Sequence, residues 1–126
     1  MIHGTGLDFI AISRIERSLS RFGERFEQHV FTLQEIEYCR SQADPSKHFA
    51  VRFAAKEAVL KSMGTGMAQG IAWKDIEILN EPSGKPVLNI GGRGKEIFDA
   101  LNLRNIHISL SHDRSYAIAQ AVAEML

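Results

Sequence analysis

A chain of 126 residues fits one domain, and a domain of that size buries roughly two thirds of its unfolded surface and needs no staples. Its 15 Lys and Arg balance its 15 Asp and Glu, which argues against a general nucleic-acid or membrane-surface binder and leaves room only for a local charged patch. Cys39 is the one cysteine, so an internal disulfide and a cysteine-based zinc site are both excluded.

Ile2–Asp8 is short and contains β-branched residues; it reads as a strand with Asp8 at its C-terminal end. Gly4 and Gly6 leave one face of that strand bare, which permits close approach of a backbone or a ligand. Ser13 and Glu16 have capping-box spacing, predicting a helix from Arg14 to Ser20 that extends to a break at Gly23. Ile15, Leu19, Phe22 and Phe26 would face the core. Arg14, Arg17 and Arg21 share a face, with Arg25 beyond them, and form a basic stripe suited to an acidic partner or a mixed solvated face. A second capping box, Thr32 to Glu35, starts a helix carrying Leu33, Ile36 and Cys39. It ends before Asp44-Pro45, because a residue preceding proline is disfavoured in the helical region.

A long helix is expected from Lys47 or His48 to Met63, stopped by Gly64-Thr65-Gly66. Phe53, Glu57 and Lys61 step by four along one face, with Arg52 and Lys56 in a row beside it. One carboxylate among three cations suits an anionic ligand with a metal; it also suits a solvated face with an ordinary Glu57–Lys61 pair. The glycines of Gly64–Gly70 follow a helix rather than precede one, so a Walker-type phosphate loop is rejected. Trp73–Leu79 and Pro86–Ile90 read as paired strands around the Glu81–Lys85 turn, and Arg93–Leu101 as a short helix with Ile97, Phe98 and Leu101 inward. Ile106–Ser111 alternates most clearly, with His107, Ser109 and Ser111 on one face. The turn His112–Ser115 leads into a strand whose Ala117, Ala119, Ala121 and Ala123 make a small-residue face for a helix or another subunit.

Asp8 at a strand end, Glu57 on the central helix and His112 beside a turn are three features that could converge, within one chain or between neighbouring subunits. Magnesium takes one or two protein carboxylates and completes its shell with phosphates and waters, so Asp8 and Glu57 meet that count. Lys56, Lys61, Lys85 and His112 are candidates for phosphate charge. Ser111-His112-Asp113 are sequence neighbours and do not readily form a hydrolase triad.

Ile2-His3-Gly4-Thr5-Gly6-Leu7-Asp8 resembles the start of the holo-[acyl-carrier-protein] synthases, the short class of 4′-phosphopantetheinyl transferases. Arg52-Phe53-Ala54-Ala55-Lys56-Glu57-Ala58 through Lys61 and Gly64-Thr65-Gly66 resembles that family's second motif. Gly84-Lys85-Pro86 and Ser109-Leu110-Ser111-His112 with Tyr116-Ala117 resemble its third and fourth. The resemblance implies transfer of phosphopantetheine from coenzyme A to a serine of apo acyl carrier protein, releasing adenosine 3′,5′-bisphosphate, in fatty acid biosynthesis. It implies Mg²⁺ held by Asp8 and Glu57, with Glu57, directly or through a metal-bound water, as the candidate proton acceptor, and Lys61 and His112 at the phosphates, His112 from the same or a neighbouring subunit. Lys56, Gly64, Gly66, Lys85, Pro86, Ser111 and His112 would line coenzyme A, and Arg14, Arg21 and Arg25 would receive the carrier. It also implies a homotrimer with sites between subunits.

The expected fold is a single α+β domain, residues 1–126, with a small antiparallel sheet packed on the central helix. No secretory signal and no apolar run near the ~20 residues of a membrane span are visible, so a reducing cytoplasm is the expected compartment. Two further readings are a non-catalytic coenzyme A or nucleotide-binding module and a trimeric adaptor for acidic partners.

Overall fold

The computed structural model describes residues 1–126. Its elements in order are β1 (Ile2–Ala11), α1 (Ile12–Phe22), α2 (Glu24–Val30), α3 (Leu33–Arg40), α4 (Pro45–Met63), β2 (Ile76–Asn80), β3 (Pro86–Ile90), α5 (Gly92–Ala100), β4 (Leu103–His112) and β5 (Tyr116–Met125). The expected single antiparallel sheet is two sheets, one ordered β1-β5-β4 and one formed by β2 and β3. Every pairing is antiparallel.

The core is organised around α4. Thirteen of its 19 residues are buried, the signature of a helix enclosed on nearly all sides rather than one with a solvated face. Pro45 starts it at a position where the missing N–H costs nothing, two or three residues earlier than the sequence pattern placed it. Gly64 ends it in the left-handed region, with its N–H donating to Leu60 O at 3.1 Å.

The alanine face of β5 is spent inside the chain. Ala117, Ala119, Ala121 and Ala123 are buried under α4, leaving no small-residue surface there for a second subunit. Gly4 and Gly6 serve the same closeness on β1: a methyl group would overlap Ser62 O at Gly4 and Ala58 O at Gly6. The bare glycine face therefore receives the α4 backbone, not a ligand.

Three boundaries differ for physical reasons. β1 runs through Asp8 to Ala11, so Asp8 lies within the strand, paired in register with Ala119. Ser13 caps nothing, because α1 begins one residue earlier and the Ile12 N–H donates to Ser115 O at 2.8 Å. Trp73–Asp75 is a 3-10 turn ahead of β2, not strand. The Thr32–Glu35 capping box forms as expected. Phe22, expected inward, is exposed, whereas Ile15 is buried and Leu19 and Phe26 pack against the core. Cys39 is enclosed, and burial pushes its thiol up to about 12, a buried apolar role with no reactive thiolate.

Candidate functional site

The glycine closeness of β1 and α4 determines what stands beside Asp8. A methyl group at Gly6 would also sit 2.9 Å from Lys61 Cβ, so the lysine stem lies directly against the strand. From there the Lys61 ammonium donates to Leu7 O at 2.8 Å and to Asp8 Oδ1 at 3.2 Å. Asp8 is the more enclosed partner, its side chain 18% exposed against 49% for Lys61.

Glu57 lies one turn before Lys61 on α4, half-buried. It belongs to none of the chain's ion pairs, so the ordinary Glu57–Lys61 pair that the spacing allows does not form. Burial raises the Glu57 carboxyl above its ordinary value, and the neighbouring Asp8 charge raises it further. Lys61 and Arg14 act in the opposite direction. The guanidinium of Arg14 lies 5.9 Å from the Phe53 ring, which stacks on Trp73 at 5.2 Å.

This donor set fits Mg²⁺. Two hard carboxylates repel one another in a partly enclosed site, the condition that a divalent cation relieves. No third carboxylate, histidine or cysteine joins them in a metal-sized cluster.

One expectation fails on this geometry. Lys56 is no phosphate ligand, because it is fully buried and donates to Glu35 Oε1 at 2.8 Å, Trp73 O at 3.2 Å and Ile76 O. Burial holds its ammonium below the ordinary value while Glu35 acts against that shift. His112 does not stand beside Asp8 and Glu57 within one chain. Its ring lies 5.9 Å from that of His48. His48 and Glu57 are nine residues apart on α4, which places them about 13–14 Å apart along the axis and about half a turn round it. His112 instead lines a second cleft, on the far side of α4, with Pro86, Gly84 and Asn80 from the β2–β3 end.

Of the other expected residues, Gly64 caps α4 one residue-triplet beyond Lys61, and Gly66 follows it at positive φ. Lys85 is exposed on the β2–β3 turn. Ser111 pairs with Ile118 on the sheet face turned away from α4, opposite to His112. Arg14, Arg17 and Arg21 line one groove along α1. Arg25 lies past the Gly23 break, in an adjoining groove with Phe22, Phe26 and His29. Sequence reasoning gave no role to His48 and Tyr38 and saw Arg52 only as one of a row of cations. Arg52 is buried and donates to Ile78 O at 3.0 Å. A helical wheel shows that Arg52 and Lys56 share a side; it carries no signal for what covers that side.

Comparison with known proteins bears on this geometry. Residues 4–121 match the model of the 4′-phosphopantetheinyl transferase superfamily. The chain is similar to a holo-[acyl-carrier-protein] synthase of Syntrophus aciditrophicus, 48% identical over 100% of this chain and 98% of the relative. The fold is similar to the Neisseria meningitidis holo-[acyl-carrier-protein] synthase, with TM-score 0.91 and 31% identity over 98% of this chain and 99% of the other. It is similar also to the Helicobacter pylori holo-[acyl-carrier-protein] synthase solved in complex with coenzyme A, with TM-score 0.84 and 32% identity over 95% of this chain and 99% of that one.

Proposed function

The chain belongs to the 4′-phosphopantetheinyl transferase superfamily, and from that premise we propose that it moves the phosphopantetheine arm of coenzyme A onto a serine of apo acyl carrier protein, with Mg²⁺ as cofactor. The observation that carries this reading is the meeting of Asp8, Glu57 and Lys61 where β1 closes on α4. Two carboxylates and one ammonium are the charges that a pyrophosphate with a divalent cation calls for.

Asp8 and Glu57 hold Mg²⁺, which when bound neutralises the pyrophosphate and makes its phosphorus a better electrophile. Glu57 accepts the proton of the serine hydroxyl. It would do so directly or through a metal-bound water. The serine Oγ–phosphorus bond forms as the pyrophosphate P–O bond breaks, and the electron pair leaves with adenosine 3′,5′-bisphosphate. Lys61, fixed by the Leu7 carbonyl and Asp8, presents its charge to the leaving phosphate. Gly64 and Gly66, just past Lys61, border coenzyme A from the same chain. Lys85, Pro86 and His112 border it from the other side of the ligand.

His112 and Glu57 lie on opposite sides of α4, an arrangement that favours a site shared between chains. A homotrimer with sites between subunits would bring the two together from neighbouring chains. The sheet face away from α4 offers a surface for it, where Leu7, Phe9, Tyr116 and Ile118 are all exposed and Phe9 stacks on Tyr116 at 4.7 Å. Arg14, Arg21 and Arg25 on α1 and α2 receive an acidic carrier surface. A role in fatty acid biosynthesis in the cytoplasm follows from the same reading.

Intact-mass spectrometry of apo acyl carrier protein with this protein, coenzyme A and Mg²⁺ tests the function. A gain of one phosphopantetheine is expected, lost with chelator and in Glu57→Ala. No gain with a competent carrier refutes the transfer. A gain that survives Glu57→Ala refutes the metal and base assignment.

A further inference from the structure

Between α4 and the Trp73–Asp75 turn the chain runs over the surface, and residues 66–70 are all exposed. Gly64, Gly66, Gln69 and Gly70 lie at positive φ. For Gln69, at 64°, that is a conformation an L side chain rarely adopts and one that persists only where its surroundings hold it. Inside the loop the Ala68 N–H donates to Thr65 O at 3.2 Å and the Ile71 N–H to Ala68 O at 3.5 Å. One hydrogen bond reaches residues 66–70 from another element: Arg93 Nε, in the first turn of α5, donates to Gln69 O at 2.8 Å. The arginine stem lies along the loop as well, since a methyl group at Gly70 would meet its Cγ at 3.7 Å.

The start of α5 is placed for that reach. Asp75 Oδ2 accepts the Ala72 N–H at 3.0 Å and the Gly94 N–H at 3.2 Å, and Asp75 O accepts the Gly91 N–H at 2.8 Å. Asp75 thus ties the exit of the loop to the first turn of α5. Gly92 makes the approach possible, because a methyl group there would overlap Asp75 Oδ1. A terminal nitrogen of Arg93 also donates to Glu96 Oε2 at 2.9 Å, in an ion pair whose side chains are about half and two-thirds exposed. Such an open pair contributes little, which leaves the Nε bond as the contact with a directional task.

We propose that Arg93 is a positioning residue for coenzyme A: it touches no substrate, and through Gln69 O it fixes the loop that follows Lys61 in the shape that borders the ligand. The inference rests on the reading of coenzyme A as substrate. A loop with three glycines in seven residues, 64–70, has many alternative shapes when untethered. Ordered beforehand, it takes less free energy from ligand binding, so affinity rises without a new contact to the ligand.

Two substitutions separate the bond from the charge. Arg93→Gln keeps an N–H donor at the position of Nε and removes the charge; Arg93→Met removes both. Titration calorimetry with coenzyme A and Mg²⁺ should show affinity about tenfold weaker in Arg93→Met and mostly restored in Arg93→Gln. In the transfer assay KM for coenzyme A should rise with it, while kcat and KM for apo acyl carrier protein stay near wild type. Tm should move by no more than about 2 °C, because the site is open to solvent. Hydrogen exchange at the Ala68 and Ile71 amides should be faster in ligand-free Arg93→Met and return to the wild-type rate at saturating coenzyme A. Glu96→Gln breaks the ion pair alone and should change none of these. Unchanged coenzyme A affinity in Arg93→Met overturns the proposal, as does an equal loss in Arg93→Gln, which would assign the effect to charge. Equal rises in both KM values with a lower Tm would make Arg93 a structural support only and overturn it as well. Wild-type protein that binds coenzyme A, with this pattern in the Arg93 variants, but transfers nothing would support the positioning role and refute the transferase reading; failure to bind coenzyme A refutes both.

Discussion

Replacing Lys56 by methionine separates a buried post from a phosphate ligand. Both members of the Lys56–Glu35 pair have side chains 0% exposed, with Nζ 2.8 Å from Oε1. The same carboxylate accepts the Thr32 N–H on Oε1 and the Ile78 N–H on Oε2, each at 2.8 Å, so the pair ties α3, α4 and β2 together. Removing the lysine leaves a carboxylate stranded in the interior, and breaking a buried pair in this way costs about 3–5 kcal/mol. The two surviving N–H donors place the loss at the lower end, about 3 kcal/mol. A chain of 126 residues has an unfolding entropy of about 0.26 kcal/mol/K, so Tm falls by roughly 11 °C. Calorimetric melts measure this, and coenzyme A affinity is measured below the transition. Adding Glu35→Gln to Lys56→Met should recover part of the loss, because no charge then remains unpaired. An unchanged Tm with coenzyme A affinity lost more than about tenfold would refute the reasoning and return Lys56 to the ligand.

Other outcomes follow from the same contacts. Glu57 has a raised folded value, so the folded chain binds more protons than the unfolded chain between the unfolded value and that raised one, and stability falls as pH rises through this window. Glu57→Gln should therefore melt higher than wild type at pH 8 and equally at pH 3, while losing transfer; Mg²⁺ should raise the wild-type Tm and leave the variant's unchanged. Gly6→Ala forces a methyl onto Ala58 O; it should cost about 1–3 kcal/mol and lower kcat, as β1 lifts from α4 and Asp8 leaves Lys61. Phe9→Lys on the outer sheet face should convert the assembly to smaller species by light scattering, and transfer should fall with it.

The sequence made the long helix, its glycine stop, the Thr32 cap and the β4–β5 pair legible, because each rests on local chemistry that neighbours do not override. It failed where tertiary cover decides. Ser13 carries a capping pattern, but β1 extends far enough for the β4–β5 turn to meet the first helical N–H instead. Lys56 and Arg52 look like a solvated or ligand-facing row until α3 and β2 are seen to close over them. Asp8 and Glu57 stand out in the sequence as a carboxylate at a strand end and one among helix cations, the motif resemblance strengthens the pair, and the glycines that bring β1 onto α4 explain their meeting. His48 carried no signal: a lone histidine in the first turn of a helix acquires meaning only when β4 brings His112 beside it.

The opposite outlook of Glu57 and His48 on one rod has a genetic reading. If each ligand is shared between adjacent chains of a ring, Glu57→Ala and His112→Ala damage different halves of different sites. Co-refolding the two inactive variants would then place an intact Glu57 across from an intact His112 wherever the chains alternate in the right order. Activity would reappear from two dead parents, whereas two variants hitting the same side of α4 would never complement.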